Sequence, residues 1–292
     1  MCDEDTVEDN DKYLENTGAI SRRQFNALTA GTALAMMLPQ VANAMDVVER
    51  NVSVKTADGI ADCLFVHPSA GQHPAVIIWP DILGLRPSFR LMGKRLAESG
   101  YSVLVVNPYY RVATAPVVPE GASFQDEATR NKVLPMAMQL SVDTTTTDAA
   151  AFVSFLDQQA SVDTERKIGT TGYCMGGPFT MITAAAIPGR IGAGASFHGG
   201  RLVTDKVDSP HLMVPKMKAN FLFAIADNDD ERDPGAKVVL RDSFEKAGLS
   251  AEIEVYEGAL HGWCPPDSRV YNEVQAERAW SRLLTLFETA LG

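Results

Sequence analysis

Cysteine is scarce here, with four residues in 292. No CxxC pair and no Cys/His cluster at metal-ligand spacing occurs among them, so a structural zinc site is not supported. Basic clusters are missing too. Lys+Arg number 26 against 37 Asp+Glu, a formal net charge of -11, which leaves no electrostatic footprint for a phosphate backbone and argues against nucleic acid. Acidic excess of this kind serves solubility rather than substrate choice. The chain also has no internal repeat and no low-complexity segment. Its apolar runs fall short of the roughly 20 residues that cross a bilayer. What remains is 46% hydrophobic content over 292 residues, which fits one large domain with an N-terminal appendage.

The appendage is residues 1–44. An acidic stretch from Cys2 to Glu15 precedes Ser21-Arg22-Arg23-Gln24-Phe25, then an apolar small-residue run from Ala27 to Leu38, then Ala42-Asn43-Ala44. Charged region, hydrophobic region and small-residue cleavage site follow in the order of a signal segment. The paired arginines before Phe resemble a twin-arginine export signal, with the mature chain starting near Met45 in the periplasm or outside the cell. Removing the leader leaves Cys63, Cys174 and Cys264, an odd number in an oxidising compartment, so at least one thiol stays unpaired. Cys63 reads as a small buried hydrophobe on a strand.

From residue 45 onward, short apolar runs alternate with helical periods. Val47 to Lys55 and Ile60 to Val66 read as strands around an Asp58-Gly59 turn, and Ala75 to Trp79 and Val103 to Val106 as buried strands. Further strands are expected at Lys167 to Thr171, Ala193 to Phe197, Phe221 to Ala226 and Ala251 to Tyr256. The spacing predicts helices over Phe89 to Ser99, Thr145 to Gln159, Phe179 to Ile187, Ala236 to Ala247 and about Asn272 to Leu291. This alternation implies a mostly parallel sheet with helices on both faces, the α/β class. Tyr109 to Gln139 and Gly199 to Ala219 lack a period; stretches so long are functional or carry short helices of their own.

Gly172-Tyr173-Cys174-Met175-Gly176-Gly177 sits between an expected strand and an expected helix. It is the GxSxG elbow with sulfur for oxygen, in which a sharp turn presents the nucleophile and small neighbours let strand and helix approach. The following helix points its N-terminus at Cys174 and favours a thiolate. A base must follow, and the chain order of this fold is nucleophile, acid, histidine. His198 precedes the acid candidates and reads as a satisfied structural histidine; His211 has no supporting context. His261, after the last strand, is the expected base. Asp227, Asp229, Asp230 and Asp233 crowd the loop after Phe221 to Ala226, and spacing alone does not choose among them. The oxyanion donors of this fold are the N–H after the nucleophile, Met175, and one in the loop after the third strand, Ile82.

Gly172 to Gly177, the Asp-rich loop, Gly258-Ala259-Leu260-His261-Gly262 and Trp79-Pro80-Asp81-Ile82-Leu83-Gly84-Leu85 together resemble the dienelactone hydrolase family, from about Val52 to the C-terminus. The resemblance implies Cys174 as nucleophile, His261 as base and, through Ala226-Asp227-Asn228-Asp229, Asp229 as acid. It assigns Asp81 the place of an acidic residue, usually Glu, that modulates the thiol. It also implies that Tyr110-Arg111 binds a substrate carboxylate. A second arginine is expected at the position of Pro265, with Arg269 as its replacement from further along.

The resulting expectation is a hydrolase of small esters or lactones with a Cys174-His261-Asp229 triad and an acyl-thioester intermediate. It needs no cofactor or metal, and its partner is a small molecule rather than nucleic acid or, beyond the export signal, membrane. The chain is expected as a monomer or dimer. Two rival readings are a non-catalytic periplasmic binding protein on the same fold and a thiol redox protein using Cys264 beside Cys174. A disulfide there requires Cα atoms within about 7 Å.

Overall fold

A computed structural model describes Lys12, Leu38, Pro39 and residues 41–292, so most of the segment expected to be an export leader lies outside the described residues. Among those residues no helix is long and apolar enough to cross a membrane. Eight strands form one sheet: β1 (Val47–Thr56), β2 (Gly59–Pro68), β3 (Ala75–Trp79), β4 (Ser102–Val106), β5 (Ile168–Tyr173), β6 (Ile191–Phe197), β7 (Asn220–Ala226) and β8 (Ala251–Tyr256). Their order is β1-β2-β4-β3-β5-β6-β7-β8. The β1–β2 and β2–β4 pairs are antiparallel, and every later pair is parallel. The α/β class with a mainly parallel sheet is borne out.

Seven helices accompany the sheet in the described residues: α1 (Pro87–Glu98), α2 (Glu127–Ala137), α3 (Val142–Asp157), α4 (Gly176–Ala186), α5 (Asp227–Arg232), α6 (Ala236–Ala247) and α7 (Glu273–Ala290). Local chemistry sets their ends. Pro87 opens α1 where its missing N–H costs nothing. Ser141 and Thr144 form a reciprocal capping box at α3, and Gly248 closes α6 in the left-handed conformation.

Strand alternation divides the core. Ala75, Ile77 and Trp79 of β3 face one cluster with Phe152, Met181 and Leu240 from α3, α4 and α6. Val76 and Ile78 face the other, with Leu96 and Leu283 from α1 and α7. Successive residues of a strand point to opposite faces, so a strand buried on both sides must be apolar throughout.

The aperiodic 109–139 stretch differs from a plain loop. Its second half is α2, whose polar opening residues and internal Pro135 conceal the helical period. Val117, Val118 and Val133 of this region form a third, smaller cluster with Tyr109 and Ile82. The 199–219 stretch contains a short 3-10 turn at Pro210–Lys216.

Candidate active site

The elbow carries backbone strain. Cys174 has φ 53, a left-handed value that side chains other than glycine rarely adopt. Its N–H donates to Phe197 O at 3.0 Å, and Gly177 N–H donates back to Cys174 O at 3.1 Å, so β5 turns directly into α4. The flanking glycines are compulsory. A Cβ on Gly172 would lie 2.0 Å from Gly176 O, and one on Gly176 would lie 2.2 Å from Trp79 O. That second approach brings the end of β3, and with it the Asp81–Ile82 turn, against the nucleophile.

His261 arrives from the loop after β8. Its backbone N–H donates to Asn228 Oδ1 at 2.9 Å, and its Nδ1 lies 2.7 Å from Asp229 Oδ2. The ring is buried, its Nε2 has no hydrogen-bond partner among the described residues, and the Cys174 sulfur acts on it through its charge. Burial opposes charge on this imidazole, but the Asp229 carboxylate first and the Cys174 sulfur second outweigh it, and its pKa is pushed up to about 10. The other aspartates serve elsewhere: Asp227 Oδ2 accepts from Gly258 N–H at 2.9 Å, Asp230 pairs with Lys237 at 2.6 Å, and Asp233 caps the end of α5.

Ile82 and Met175 are brought together by a residue the sequence reading passed over. The Tyr109 hydroxyl donates to Ile82 O at 2.8 Å and lies 3.3 Å from Met175 Sδ. Neither the Ile82 nor the Met175 backbone N–H takes an acceptor among the described residues. Two such donors beside a thiol are what an oxyanion requires.

Asp81 is buried, and the thiol sulfur is among the charges that act on it. Burial pushes its carboxyl up, against the pull of Arg86. Arg86 Nη1 and Nη2 grip both Asp81 oxygens at 2.6 and 2.9 Å. The same guanidinium holds Asp267 through Nε at 2.7 Å and Nη2 at 2.9 Å. Burial works against the Arg86 cation, but Asp267 and Asp81 keep it charged. Arg86 could have been suspected from sequence, five residues past Asp81; Asp267 could not, because the fold alone brings it there.

One sequence expectation gains intramolecular partners and another is corrected. Tyr110 and Arg111 are committed to the scaffold. Arg111 Nη1 and Nη2 bind Asp148 at 2.8 and 2.7 Å, Nη2 binds Asp58 at 2.6 Å, and the Tyr110 hydroxyl donates to Asp148 at 2.6 Å. Two carboxylates of the chain thus pair with this cation. His198, in turn, is not satisfied. It is buried with φ 40, neither ring nitrogen has a hydrogen-bond partner among the described residues, and it packs edge-to-face on His261 with centroids 5.1 Å apart. Burial first, then His261, holds its pKa well below the usual histidine value. His211 instead sits 2.7 Å from Ser209 Oγ at the 3-10 turn.

Cys63, Cys174 and Cys264 are all buried and free of disulfides. Burial alone drives the Cys264 thiol well above its ordinary value, which makes it a poor nucleophile.

A mainly parallel sheet presenting a strained cysteine on a strand-to-helix elbow, with a histidine and aspartate delivered by later strands, defines an α/β-hydrolase. Within that class, the chain belongs to the dienelactone hydrolase family, whose model matches residues 61–291, and it is an ester-bond hydrolase. It is similar to a carboxymethylenebutenolidase of Rhodococcus opacus, 28% identical over 232 residues, covering 78% of this chain and 86% of the relative. Among solved structures it is similar to a dienelactone hydrolase-like promiscuous phosphotriesterase, P91, from metagenomic libraries. That match has TM-score 0.69 and 18% identity, covering 84% of this chain and 99% of the other. A dienelactone hydrolase from Anabaena variabilis matches with TM-score 0.60 and 16% identity over 84% and 99% of the two chains.

Proposed function

We propose that this protein hydrolyses small, uncharged carboxylic esters or lactones through Cys174, His261 and Asp229. The carrying observation is His261, hydrogen-bonded through Nδ1 to Asp229 and electrostatically coupled to the Cys174 sulfur at a left-handed elbow, with its Nε2 left unpartnered among the described residues. A raised imidazole pKa favours a thiolate–imidazolium pair. The Cys174 sulfur attacks the carbonyl carbon, and the oxyanion rests on the N–H groups of Ile82 and Met175. The C–O bond to the leaving group breaks as His261 hands it a proton, leaving an acyl-thioester. Water then attacks; His261 takes its proton, the C–S bond breaks and the acid departs.

Support for an uncharged substrate comes from the arginines at the Asp81 turn, beside Tyr110 and in the base loop. Arg86 and Arg111 are bound by carboxylates of the chain, and Arg269 is bound by Gln125 and Asp126. The test is acid-quenched mass spectrometry of the protein mixed with p-nitrophenyl acetate. An acetyl adduct on the Cys174 peptide, forming and decaying at the rate of turnover, is expected. Hydrolysis with no adduct at Cys174 would remove the thioester.

We further propose residues 1–44 as a twin-arginine leader and the periplasm as the location, on the Arg22-Arg23 pattern and Ala42-Asn43-Ala44. N-terminal sequencing of the protein from its native envelope fraction should begin near Met45. A start at Met1 would end this reading.

A further inference from the structure

Cys174 is 2% exposed, so a substrate has to displace something to reach it. What lies over the thiol's neighbours is the 109–140 segment. Tyr109, Val117, Val118 and Val133, with Phe124 and Leu134 packed against them, cluster on Ile82 and Met175, the residues on either side of the oxyanion position. Its fully buried members belong to neither of the two clusters that hold the sheet, and it meets the first of them only through the partly buried Met175 and Leu140. The segment therefore rests on the site through its own small core, and that core can part without opening the main ones.

The polar tie at the rim of this cover comes from the loop that delivers the base. Arg269 Nη1 donates to Gln125 Oε1, and Arg269 Nη2 lies 3.7 Å from Asp126 Oδ1. Gln125 and Asp126 sit immediately before α2, and Arg269 lies in the same loop as His261 and Asp267. The ion pair is partly exposed, 17% on Arg269 and 36% on Asp126, and such pairs are weak and readily exchanged for water. It suits a latch, which must release within turnover. A cleft of about 150 Å³ opens between the 116–122 part of the cover and Arg86, Pro87 and Asp267.

We propose that Arg269 is a specificity-determining residue. By holding Gln125 and Asp126 it keeps the 109–140 cover closed over Cys174 and limits entry to small acyl groups. The proposal rests on Cys174 being the group a substrate must reach. Access can nevertheless be read without any hydrolysis, so its failure is distinguishable from failure of the ester reading.

The test is thiol alkylation of the full chain, with labelling at Cys174 followed by peptide mass. Iodoacetamide serves as the small reagent and a fluorescein maleimide as the bulky one. Arg269→Ala is expected to raise maleimide labelling roughly 5-fold, the scale set by losing one weak ion pair, with iodoacetamide labelling changed much less. Asp126→Asn and Gln125→Ala approach the latch from the cover side and should shift the same ratio without touching the base loop. The kcat/KM ratio of p-nitrophenyl octanoate to p-nitrophenyl acetate should rise in parallel. Unchanged labelling in all three variants would overturn the latch. So would an equal rise for both reagents, which would mean general loosening of the loop. A KM increase confined to anionic esters, with labelling unchanged, would overturn it too and make Arg269 a substrate ligand.

Discussion

Cys174→Ala abolishes ester hydrolysis to within the background of binding and oxyanion stabilisation, a loss of roughly 10³-fold or more. Folding should survive, because alanine places a Cβ where cysteine already has one. The backbone at this position argues for a sharper pair of variants. Cys174 pays for φ 53, and a left-handed non-glycine residue costs about 1–2 kcal/mol. Cys174→Gly should therefore be inactive yet more stable than Cys174→Ala by about 1 kcal/mol in urea titration. If instead Cys174→Ala turns over p-nitrophenyl acetate at the parent rate, the nucleophile lies elsewhere.

Asp229→Asn carries the second large effect, a fall of roughly 10²–10⁴-fold in kcat, by analogy with removal of the orienting carboxylate in other triads. It also has a pH signature. The imidazole is raised to about 10 in the folded chain, above the ordinary histidine value of about 6.5. A group raised in this way stabilises the fold fully below about pH 6.5 and loses that contribution as pH rises through about 10. Asp229→Asn should thus be markedly less stable than the parent near pH 6, with the gap closing towards pH 10. The alkaline limb of the rate profile, where His261 loses the proton needed by the leaving group, should move to lower pH. Parallel stability curves for the two proteins across that range would show that Asp229 does not hold the base.

Much of the fold was legible because strand and helix are local in origin. Ala75 to Trp79, Ala236 to Ala247 and Ala251 to Tyr256 fall where period and end signals place them, since apolar runs and glycine stops act within a few residues. The helix α2 was not, because its stability comes from Val133 entering a cluster with Ile82 and Tyr109 rather than from its own propensity. His198 shows the same division. Its place at the end of β6 was readable, but whether its ring nitrogens found partners depended on Trp263 and His261, which arrive from the far end of the chain.

The amino-acid sequence by itself determined the α/β layout and the glycine-flanked Cys174, because periodicity and the steric demands of a tight elbow are written in adjacent residues. Only the tertiary structure decided how the charges are spent. Arg86 went to Asp81 and Asp267, Arg111 to Asp58 and Asp148, and Arg269 to the cover, while Asp229 alone of its cluster met His261. Coulombic partners are chosen by distance in space, and partners as far apart in sequence as Arg86 and Asp267 leave no local trace of that choice.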